Sequence, residues 1–529
     1  MSAEILIVGA GPVGLALACE LARHGVRPRI IDRRTEPLPF CRAIGVTPRT
    51  LEVYDDMGLA REMIDAGLFL TGVRSSVPGK PPVDRAPDLA DLPFSQLGVP
   101  QPETERVLAG RLAALGITVE RGVTLTGLDQ DAGGARVTLE GSGGGGPTRF
   151  RYVVGCDGAH SAVRRLSGIA FEGETWPFDF MLGDVAIDWG AEPLARGLAR
   201  FAVVPAEDAP PDIFVAIPLP ERGRYRVSMR APERLAAPAG SGTDHGIQSD
   251  RPDATLADLQ EVADRLLSPP VRLSDPRWTS IFRISMRLAA RYRVGNAFIA
   301  GDAAHVHPPT GGQGMNTGIQ DAYNLAWKLA LVVKGQAAPA LLDSYEAERQ
   351  PVALEVINRT VEASVNFGKR VAQDRLADTQ ILVGYRGGPL AAGAEGDGVR
   401  AGDRMPDAQG LRRFGIGFPL RLHEVLRGTA PVLLLAGGDP AMAEAAAARL
   451  GARWPGLVRV VALVGGEAAM EEPPGVELLY DAAGMSAAAL GPLDGGAFLV
   501  RPDNYVGLRQ KRFDPDAVLA WLAGTLGLI

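Results

Sequence analysis

The sequence predicts an α/β protein in which an α/β scaffold is interrupted by an inserted antiparallel sheet and followed by a second αβ unit. Three observations predict this fold class. A strand, a glycine turn, a helix and a second strand open the chain between Ile5 and Asp32. Short strands separated by Pro, Gly and charged turns then occupy about Trp176 to Arg287. Helix-like and strand-like patterns return from Ala297 onwards, so the scaffold is expected to consist of two separated segments.

The first βαβ unit is predicted from hydrophobic periodicity. The apolar strand Ile5 to Val8 precedes a helix predicted from Val13 to His24, whose apolar residues recur at helical spacing. A second strand starts at Arg29 and ends on Asp32. This order of elements is typical of a Rossmann-like sheet with parallel strands.

The rest of the chain divides into segments of different pattern. The predicted segments are a first scaffold part at 1–175 with a short excursion at about 70–99 towards the inserted sheet, the inserted sheet at 176–287, a second scaffold part with linker helices at 288–400, and the final αβ unit at 403–529. Two stretches of turn-forming and small residues, Gly141 to Pro147 and Arg234 to Ala257, are predicted to be exposed loops.

Composition and charge exclude several classes of protein. The chain has 529 residues, of which 46% are hydrophobic and 22% charged, as in a globular protein of several domains. The net charge of -7 comes from interspersed carboxylates, and no run of Lys or Arg is long enough to follow a nucleic acid. Apolar runs are too short to span a bilayer, and no leader precedes the first strand, so we expect a cytoplasmic protein without a membrane partner. Cys19, Cys41 and Cys156 are too few for a disulfide framework.

A glycine-rich motif lies between the first strand and the first helix. Gly9, Gly11 and Gly14 form G-x-G-x-x-G. The first glycine permits a tight turn, the second lets the backbone approach a pyrophosphate, and the third lets helix and strand pack closely. Asp32 follows eighteen residues after Gly14, where a carboxylate can accept hydrogen bonds from an adenosine ribose. The motif predicts a dinucleotide site but does not distinguish FAD from NAD.

A carboxylate and a Pro/Gly-rich loop follow the predicted strand Ala297 to Ala300. Asp302 can bind ribityl hydroxyls, and the loop that ends at Asn316 can place backbone N–H groups and a helix N-terminus near an isoalloxazine. The loop also contains His305 and His307, but no further Cys or carboxylate lies at ligand spacing, so no metal site is predicted. This segment favours FAD.

Three motifs occur in order: GAGPVG at Gly9 to Gly14, CDGAHSAVR at Cys156 to Arg164, and GDAAHVHPPTGGQGMN at Gly301 to Asn316. In these motifs the chain resembles the group A flavoprotein monooxygenases, the family of para-hydroxybenzoate hydroxylase and phenol hydroxylase. With intervening segments such as Arg42 to Glu52, the match extends over most of residues 1–360. The resemblance implies a Rossmann-like FAD-binding domain, an inserted antiparallel-sheet substrate domain and a C-terminal thioredoxin-like α/β domain.

The resemblance also implies which residues bind the cofactor. Asp157 and Gly158 would belong to the family's dual motif, which serves both FAD and the pyridine nucleotide. Pro308, Gly311 and Gly314 would lie beside the flavin ring. The residues expected to bind FAD are Gly9, Gly11, Pro12, Gly14, Asp32, Arg33, Arg42, Gln101, Asp157, Gly158, Gly301, Asp302, Pro309, Gly312, Gln313, Gly314, Met315 and Asn316.

The activity implied by the resemblance is an FAD-dependent aromatic hydroxylation. In the family chemistry NAD(P)H reduces FAD, O2 is captured as a flavin hydroperoxide at C4a, and OH is transferred to an activated ring carbon. NADPH is favoured as the transient co-substrate, and a polycyclic phenolic polyketide is the expected substrate. All three cysteines precede residue 157, so the C-terminal unit cannot perform thiol–disulfide chemistry and is expected to serve structure or oligomerisation, as in a homodimer.

Two alternatives to hydroxylation stay open at this point. Baeyer–Villiger insertion or epoxidation would use the same scaffold, and a flavin-binding redox sensor would have no turnover. Within the inserted sheet, Phe180, Phe214, Arg224 and Met229 are predicted to line the substrate pocket. No single residue there is identified as a catalytic base.

Overall fold

The computed structural model describes most of the chain. The described ranges are 3–141, 146–190, 196–204, 211–235, 246–247, 253–365, 374–393, 398–413, 415–437, 439–465, 472–481, 484–491 and 495–528. Most of the two predicted loops, at 142–145 and within Arg234 to Ala257, lies outside these ranges. At the end of the second loop, Thr255 instead caps a helix that begins at Leu256. No helix in the described ranges is long and apolar enough to cross a membrane.

Both the scaffold and the C-terminal unit contain strands and helices. The strands are β1 (Ile5–Val8), β2 (Arg29–Asp32), β3 (Gly45–Val46), β4 (Leu68–Phe69), β5 (Gly72–Ser76), β6 (Val83–Arg85), β7 (Leu97–Gly98), β8 (Val119–Arg121), β9 (Val123–Asp131), β10 (Gly134–Gly141), β11 (Pro147–Phe150), β12 (Tyr152–Gly155), β13 (Phe171–Asp188), β14 (Leu198–Val204), β15 (Asp212–Pro218), β16 (Arg224–Arg230), β17 (Gly246–Ile247), β18 (Arg272–Ala289), β19 (Arg293–Val294), β20 (Ala297–Ile299), β21 (His305–Val306), β22 (Ala392–Gly393), β23 (Val432–Ala436), β24 (Arg459–Gly465), β25 (Val476–Asp481), β26 (Gly496–Val500) and β27 (Val506–Gln510). The α-helices are α1 (Pro12–Arg23), α2 (Pro48–Asp56), α3 (Ala60–Asp65), α4 (Gln101–Ala114), α5 (Ala162–Leu166), α6 (Leu256–Leu266), α7 (Gln313–Val333), α8 (Asp343–Val365), α9 (Leu422–Leu426), α10 (Pro440–Arg453), α11 (Met485–Leu490) and α12 (Pro515–Gly524).

A mainly parallel sheet forms the scaffold. Its order is β19-β20-β12-β1-β2-β8, and β1 pairs in parallel with β12 on one side and β2 on the other. Residues Ile5 to Ile7 are fully buried; α1 packs against β1, and α7 packs against α1. The continuous apolar composition of β1 is typical of a parallel strand buried on both faces. The predicted Rossmann-like scaffold is confirmed.

The inserted sheet has the order β17-β18-β13-β16-β15-β14-β5-β6. Its longest strands, β13 and β18, each contain 18 residues and pair antiparallel. Irregular register between Thr175 and Asp179 interrupts the alternation that would have revealed β13 as one strand. Helix α6 covers one face of the sheet, and the other face points towards the scaffold.

The C-terminal unit contains a sheet of order β22-β27-β26-β23-β24-β25. Strands β23, β24 and β25 are parallel. Strand β26 runs antiparallel to both of its neighbours, β23 and β27, whereas β27 pairs in parallel with β22. Helices α10 and α12 pack on this sheet through Leu450 and Trp521. The predicted α/β fold of this unit is confirmed.

A buried cluster of charges joins the C-terminal unit to the scaffold. Arg501 lies 2.5 Å from Glu348 on α8 and 2.5 Å from Asp503. On α7, Lys328 lies 2.8 Å from Glu348, and the indole of Trp327 donates to Asp503. These side chains are at most 3% exposed, so each charge depends on its partners for stabilisation.

Acid is expected to weaken this cluster. Burial alone would raise the pKa of Glu348, but the charges of Arg501 and Lys328 outweigh it and lower the pKa from 4.5 to about 2. The unfolded chain therefore binds a proton more readily than the folded one. The stabilisation is complete above about pH 4.5 and is lost as the pH falls towards 2. We expect the denaturant midpoint of Glu348→Gln to fall less than that of the parent protein as the pH is lowered from about 4.5 towards 2. An equal fall of the midpoint in both proteins would contradict the assignment.

Candidate functional site

A cavity of about 2080 Å³ lies between the scaffold sheet and the inserted sheet. Its walls come from the β1–α1 turn, the segment after β2, the end of β12, the loop before α7 and one face of the inserted sheet. Drug-sized ligands occupy pockets of about 300–1,000 Å³. The volume is therefore large enough for a dinucleotide together with a second organic molecule.

The β1–α1 turn forms one end of the cavity. Helix α1 begins at Pro12, and Gly11 precedes it without a side-chain cap, so the first N–H groups of the helix face the cavity. Gly9 has a φ of 104°, which favours glycine. A Cβ on Gly11 would meet no atom within 4 Å. This open helix N-terminus is suited to bind a pyrophosphate.

Gly14, one of the residues expected to bind FAD, does not line the cavity. A Cβ at this position would lie 2.0 Å from the Gly9 oxygen. Gly14 therefore allows the helix to pack on the turn and acts on the cavity only through Gly9.

A carboxylate and a basic residue follow β2 at the cavity wall. Asp32 accepts hydrogen bonds from the backbone of Ala10 and Arg34, each at 2.8 Å. A carboxylate offers about four acceptor sites, so Asp32 can still accept hydrogen bonds from ligand hydroxyls. Arg33 is exposed at the same wall.

Two further expected residues meet at the segment before β3. Gln101 accepts a hydrogen bond from the backbone of Ala43 at 3.2 Å and donates to Glu105 at 2.9 Å. Arg42 lines the cavity, and its Nε is buried without a partner in the described part of the chain. A buried hydrogen-bond donor without an acceptor lowers the stability of the fold. Arg42 is therefore suited to a ligand that supplies a hydrogen-bond acceptor.

Asp157 and Gly158 lie where β12 ends and both line the cavity. One oxygen of Asp157 accepts from the backbone of Ala162 at 2.6 Å and so caps α5. The other oxygen is buried, and no described group donates to it. Burial raises the pKa of Asp157, although the hydrogen bonds that its carboxylate accepts oppose this effect. A hydroxyl or amide of a ligand would complete its hydrogen bonding.

The loop before α7 provides a backbone surface on the cavity. Gly311 and Gly312 have φ values of 76° and 66°, which favour glycine. Asp302 is exposed in the cavity. Pro309, Gln313, Gly314 and Met315 line it as well. Helix α7 begins at Gln313, so Gln313, Gly314 and Met315 form its first turn.

Three residues of this loop that were expected beside the cofactor do not line the cavity. Asn316 is fully buried and donates to the carbonyls of Gly45 and Gly312 at 2.8 and 2.6 Å. Gly301 packs against α1 at Val13, and Pro308 is buried, with its carbonyl oxygen 2.9 Å from Nδ1 of His307. Their physical role is to hold the loop against the scaffold.

Asp321 on α7 is a supporting residue that the sequence did not reveal. It lies 2.7 Å from His305 and 2.7 Å from Arg349, and it accepts the backbone N–H of Gly301. Burial alone would raise the pKa of Asp321, but the charges of Arg349 and His305 lower it. His305 is thus held by a carboxylate. No group of three or more metal-ligating side chains occurs among the described residues.

The inserted sheet contributes an aromatic wall. The rings of Trp176 and Phe178 lie 5.1 Å apart, and Phe178 and Phe180 lie 5.7 Å apart. All three line the cavity, as predicted for Phe180. The apolar side chains of Val215 and Ile217 on β15 extend this wall.

The other three predicted pocket residues are corrected. Phe214 and Met229 are fully buried on the opposite face of the sheet, where they pack under α6. Arg224 lies on the cavity face but is held by Asp184 at 2.6 Å and Asp275 at 2.8 Å. Alternate residues of a strand point to opposite faces, so the residues of β16 that line the cavity are Arg226, Ser228 and Arg230.

These groups fit FAD. The open helix N-terminus suits its pyrophosphate, Asp32 its ribose, and the glycine loop its ring. The unpartnered atoms of Arg42 and Asp157 lie on the same cavity.

Comparisons with known proteins agree with this fit. Residues 2–360 match the family described as FAD binding domain, and residues 399–527 match the family described as aromatic-ring hydroxylase, C-terminal. The chain is 39% identical to a rifampicin monooxygenase of Streptomyces venezuelae, over 68% of this chain and 70% of that protein. It is 33% identical to 12-dehydrotetracycline 5-monooxygenase/anhydrotetracycline 6-monooxygenase of Streptomyces rimosus, over 96% of this chain and 95% of that protein. The solved ternary complex of aklavinone-11 hydroxylase with FAD and aklavinone superposes with a TM-score of 0.80, at 26% identity and 99% coverage of both chains.

Proposed function

The chain belongs to the family of FAD-binding aromatic-ring hydroxylases, the group A flavoprotein monooxygenases, and on this premise we propose that it uses NAD(P)H and O2 to hydroxylate a polycyclic phenol. The observation that supports the proposal is one continuous cavity. At one end it carries the groups that fit FAD, and at the other it carries the aromatic wall of Trp176, Phe178 and Phe180.

We assign the binding of FAD to the residues that line this cavity. The N–H groups that follow Gly11 bind the pyrophosphate, and Asp32 binds the adenosine ribose. Asp302 binds ribityl hydroxyls, while Arg42 and Asp157 complete their hydrogen bonds on the cofactor. Asp321 positions the loop through His305 and Gly301 and does not itself contact the ligand.

When bound, FAD would accept electrons from the pyridine nucleotide and activate O2. The protein residues orient the substrate and exclude water. The apolar face of β15 and the aromatic wall bury a flat ring system. The loop at Gly311 and Gly312 presents backbone N–H groups, without side chains that would separate the cofactor ring from the substrate. A water-poor cavity strengthens each remaining polar contact.

A polycyclic substrate agrees with the size of the cavity and with the relatives. The relatives include a rifampicin monooxygenase and an anhydrotetracycline 6-monooxygenase, and the structural neighbour was solved in complex with FAD and aklavinone. A volume of about 2080 Å³ leaves space beside FAD for a molecule with several fused rings. We propose NADPH as the electron donor.

The test is anaerobic stopped-flow mixing of the yellow holoprotein with NADPH, with and without a panel of polycyclic phenols. We expect at least one phenol to accelerate flavin reduction by orders of magnitude, and aerobic turnover with that phenol to give a product heavier by one oxygen atom. Insertion of that oxygen into a C–C bond or across a double bond would replace hydroxylation by Baeyer–Villiger chemistry or epoxidation. Reduction that is absent with every phenol would favour a flavin-binding redox sensor.

A further inference from the structure

Arg226 is the most buried of the cationic side chains that the described strands of the inserted sheet contribute to the cavity. It lies in the middle of β16, paired with Asp184 of β13 and Ile217 of β15. It is 7% exposed and lines the cavity. Four residues further along the strand, Arg230 lines the same wall, with its guanidinium 5.1 Å from the ring centre of Phe178.

The guanidinium of Arg226 has no partner in the described part of the chain. No hydrogen bond or ion pair joins it to a described residue, and its Nε is buried and unsatisfied. Burial lowers the pKa of Arg226, and the group that opposes this effect is the thiol of Cys41. Burial raises the pKa of that thiol, so it stays protonated and does not neutralise the cation.

The nearby carboxylates are already engaged by other arginines. Asp184 and Asp275 both bind Arg224. On the neighbouring strands, Asp179 is paired with Arg283 at 2.6 Å. None of these carboxylates forms an ion pair with Arg226 in the described part of the chain. A buried unpaired cation reduces stability, and such a cost is typical of a residue that acts on a ligand.

We propose that Arg226 is the positioning residue that binds an anionic oxygen of the aromatic substrate, so that the substrate class is ring systems bearing an ionised hydroxyl. The inference rests on the proposed function and deepens it. When a phenol binds, its proton passes to solvent and the phenolate oxygen accepts from the guanidinium. The negative charge activates the ring carbons ortho and para to that oxygen. The guanidinium also fixes which edge of the ring system lies against the β16 wall.

The test uses a probe whose ionisation is visible. The absorption band of 2-hydroxyanthraquinone moves to longer wavelength when its hydroxyl ionises, whereas anthraquinone has the same shape and no ionisable group. The holoprotein is titrated with each compound at a pH where free 2-hydroxyanthraquinone is neutral. We expect the bound probe to show the ionised band. In Arg226→Met we expect this band to vanish and the affinity for 2-hydroxyanthraquinone to fall roughly tenfold to hundredfold. Anthraquinone should bind the parent protein and Arg226→Met with equal affinity.

Matched variants separate a ligand contact from a structural role. Arg222 is exposed just before β16, so Arg222→Met removes one positive charge outside the cavity and should keep the ionised band. Arg226→Lys should retain part of it. Because Arg226→Met removes an unpaired buried charge, it should raise the thermal midpoint of the ligand-free holoprotein without loss of flavin. A lowered midpoint, loss of FAD with unchanged probe affinity, or an ionised band in Arg226→Met would overturn the inference.

The inference and the proposed function can fail separately. If no phenol stimulates NADPH oxidation but the probe still ionises only when Arg226 is present, the hydroxylase proposal fails and the anion site stands. If phenols are turned over and Arg226→Met matches Arg222→Met in every measurement, the proposed function stands and the anion site fails.

Discussion

Replacement of Gly14 by alanine is expected to destabilise the protein by about 3 kcal/mol or more, because the new methyl group cannot be accommodated. Its Cβ would lie 2.0 Å from the backbone oxygen of Gly9 and 3.1 Å from the carbonyl carbon. Both atoms are backbone and cannot rotate away. The turn and the first helix would have to separate. Thermal and denaturant unfolding, followed by circular dichroism, measure the loss.

Gly11→Ala is the matched control for this experiment. The added Cβ would meet no protein atom within 4 Å, so the fold should be retained. It would occupy the space through which a pyrophosphate approaches the helix N-terminus, and we expect FAD affinity to fall at least roughly tenfold. Equal stability of the two variants, or full flavin content in both, would contradict the roles assigned to the two glycines.

Arg501→Met is expected to cost about 3–5 kcal/mol of unfolding free energy, since it leaves buried carboxylates without their guanidinium. Glu348 would keep only Lys328 as a cationic partner, and Asp503 would lose its ion pair. The control is Arg512→Met, which removes an exposed arginine from the same unit and should change stability little. A large loss in both variants, or in neither, would contradict the importance of the cluster.

The scaffold was largely predictable from the sequence because its signals are local. The strand at Ile5, the glycine turn and the helix that follows are contiguous, and each has its own periodicity. The long strands β13 and β18 were not predicted, because their alternation is broken by irregular register near Thr175 and Asp179. The C-terminal strand β27 was missed as well, since Val506 to Gln510 contains a glycine and two polar residues.

The candidate site was predictable to the extent that it consists of glycines and of carboxylates at strand ends. Gly11, Asp32 and Asp157 line the cavity as expected. The substrate wall was not predictable, because a register error of one residue exchanges the two faces of a strand. Met229 was chosen in place of Arg226 and Ser228, although the apolar alternation of β16 indicates which face packs under α6. Asp321 gave no local signal, since its partners are distant in sequence.

The charged interface at Arg501 has a consequence for the construction of chimeras between family members. A C-terminal unit transferred from a relative would bring its own residue to the position of Arg501 and meet Lys328 and Glu348 on the recipient's helices. Replacement of Arg501 would leave Asp503 without its ion pair, and replacement of Glu348 would leave Lys328 without its carboxylate. A chimera therefore requires Arg501 of the C-terminal unit to be combined with Lys328 and Glu348 of the scaffold. The exact position of the junction near residue 400 matters less than the presence of these three residues.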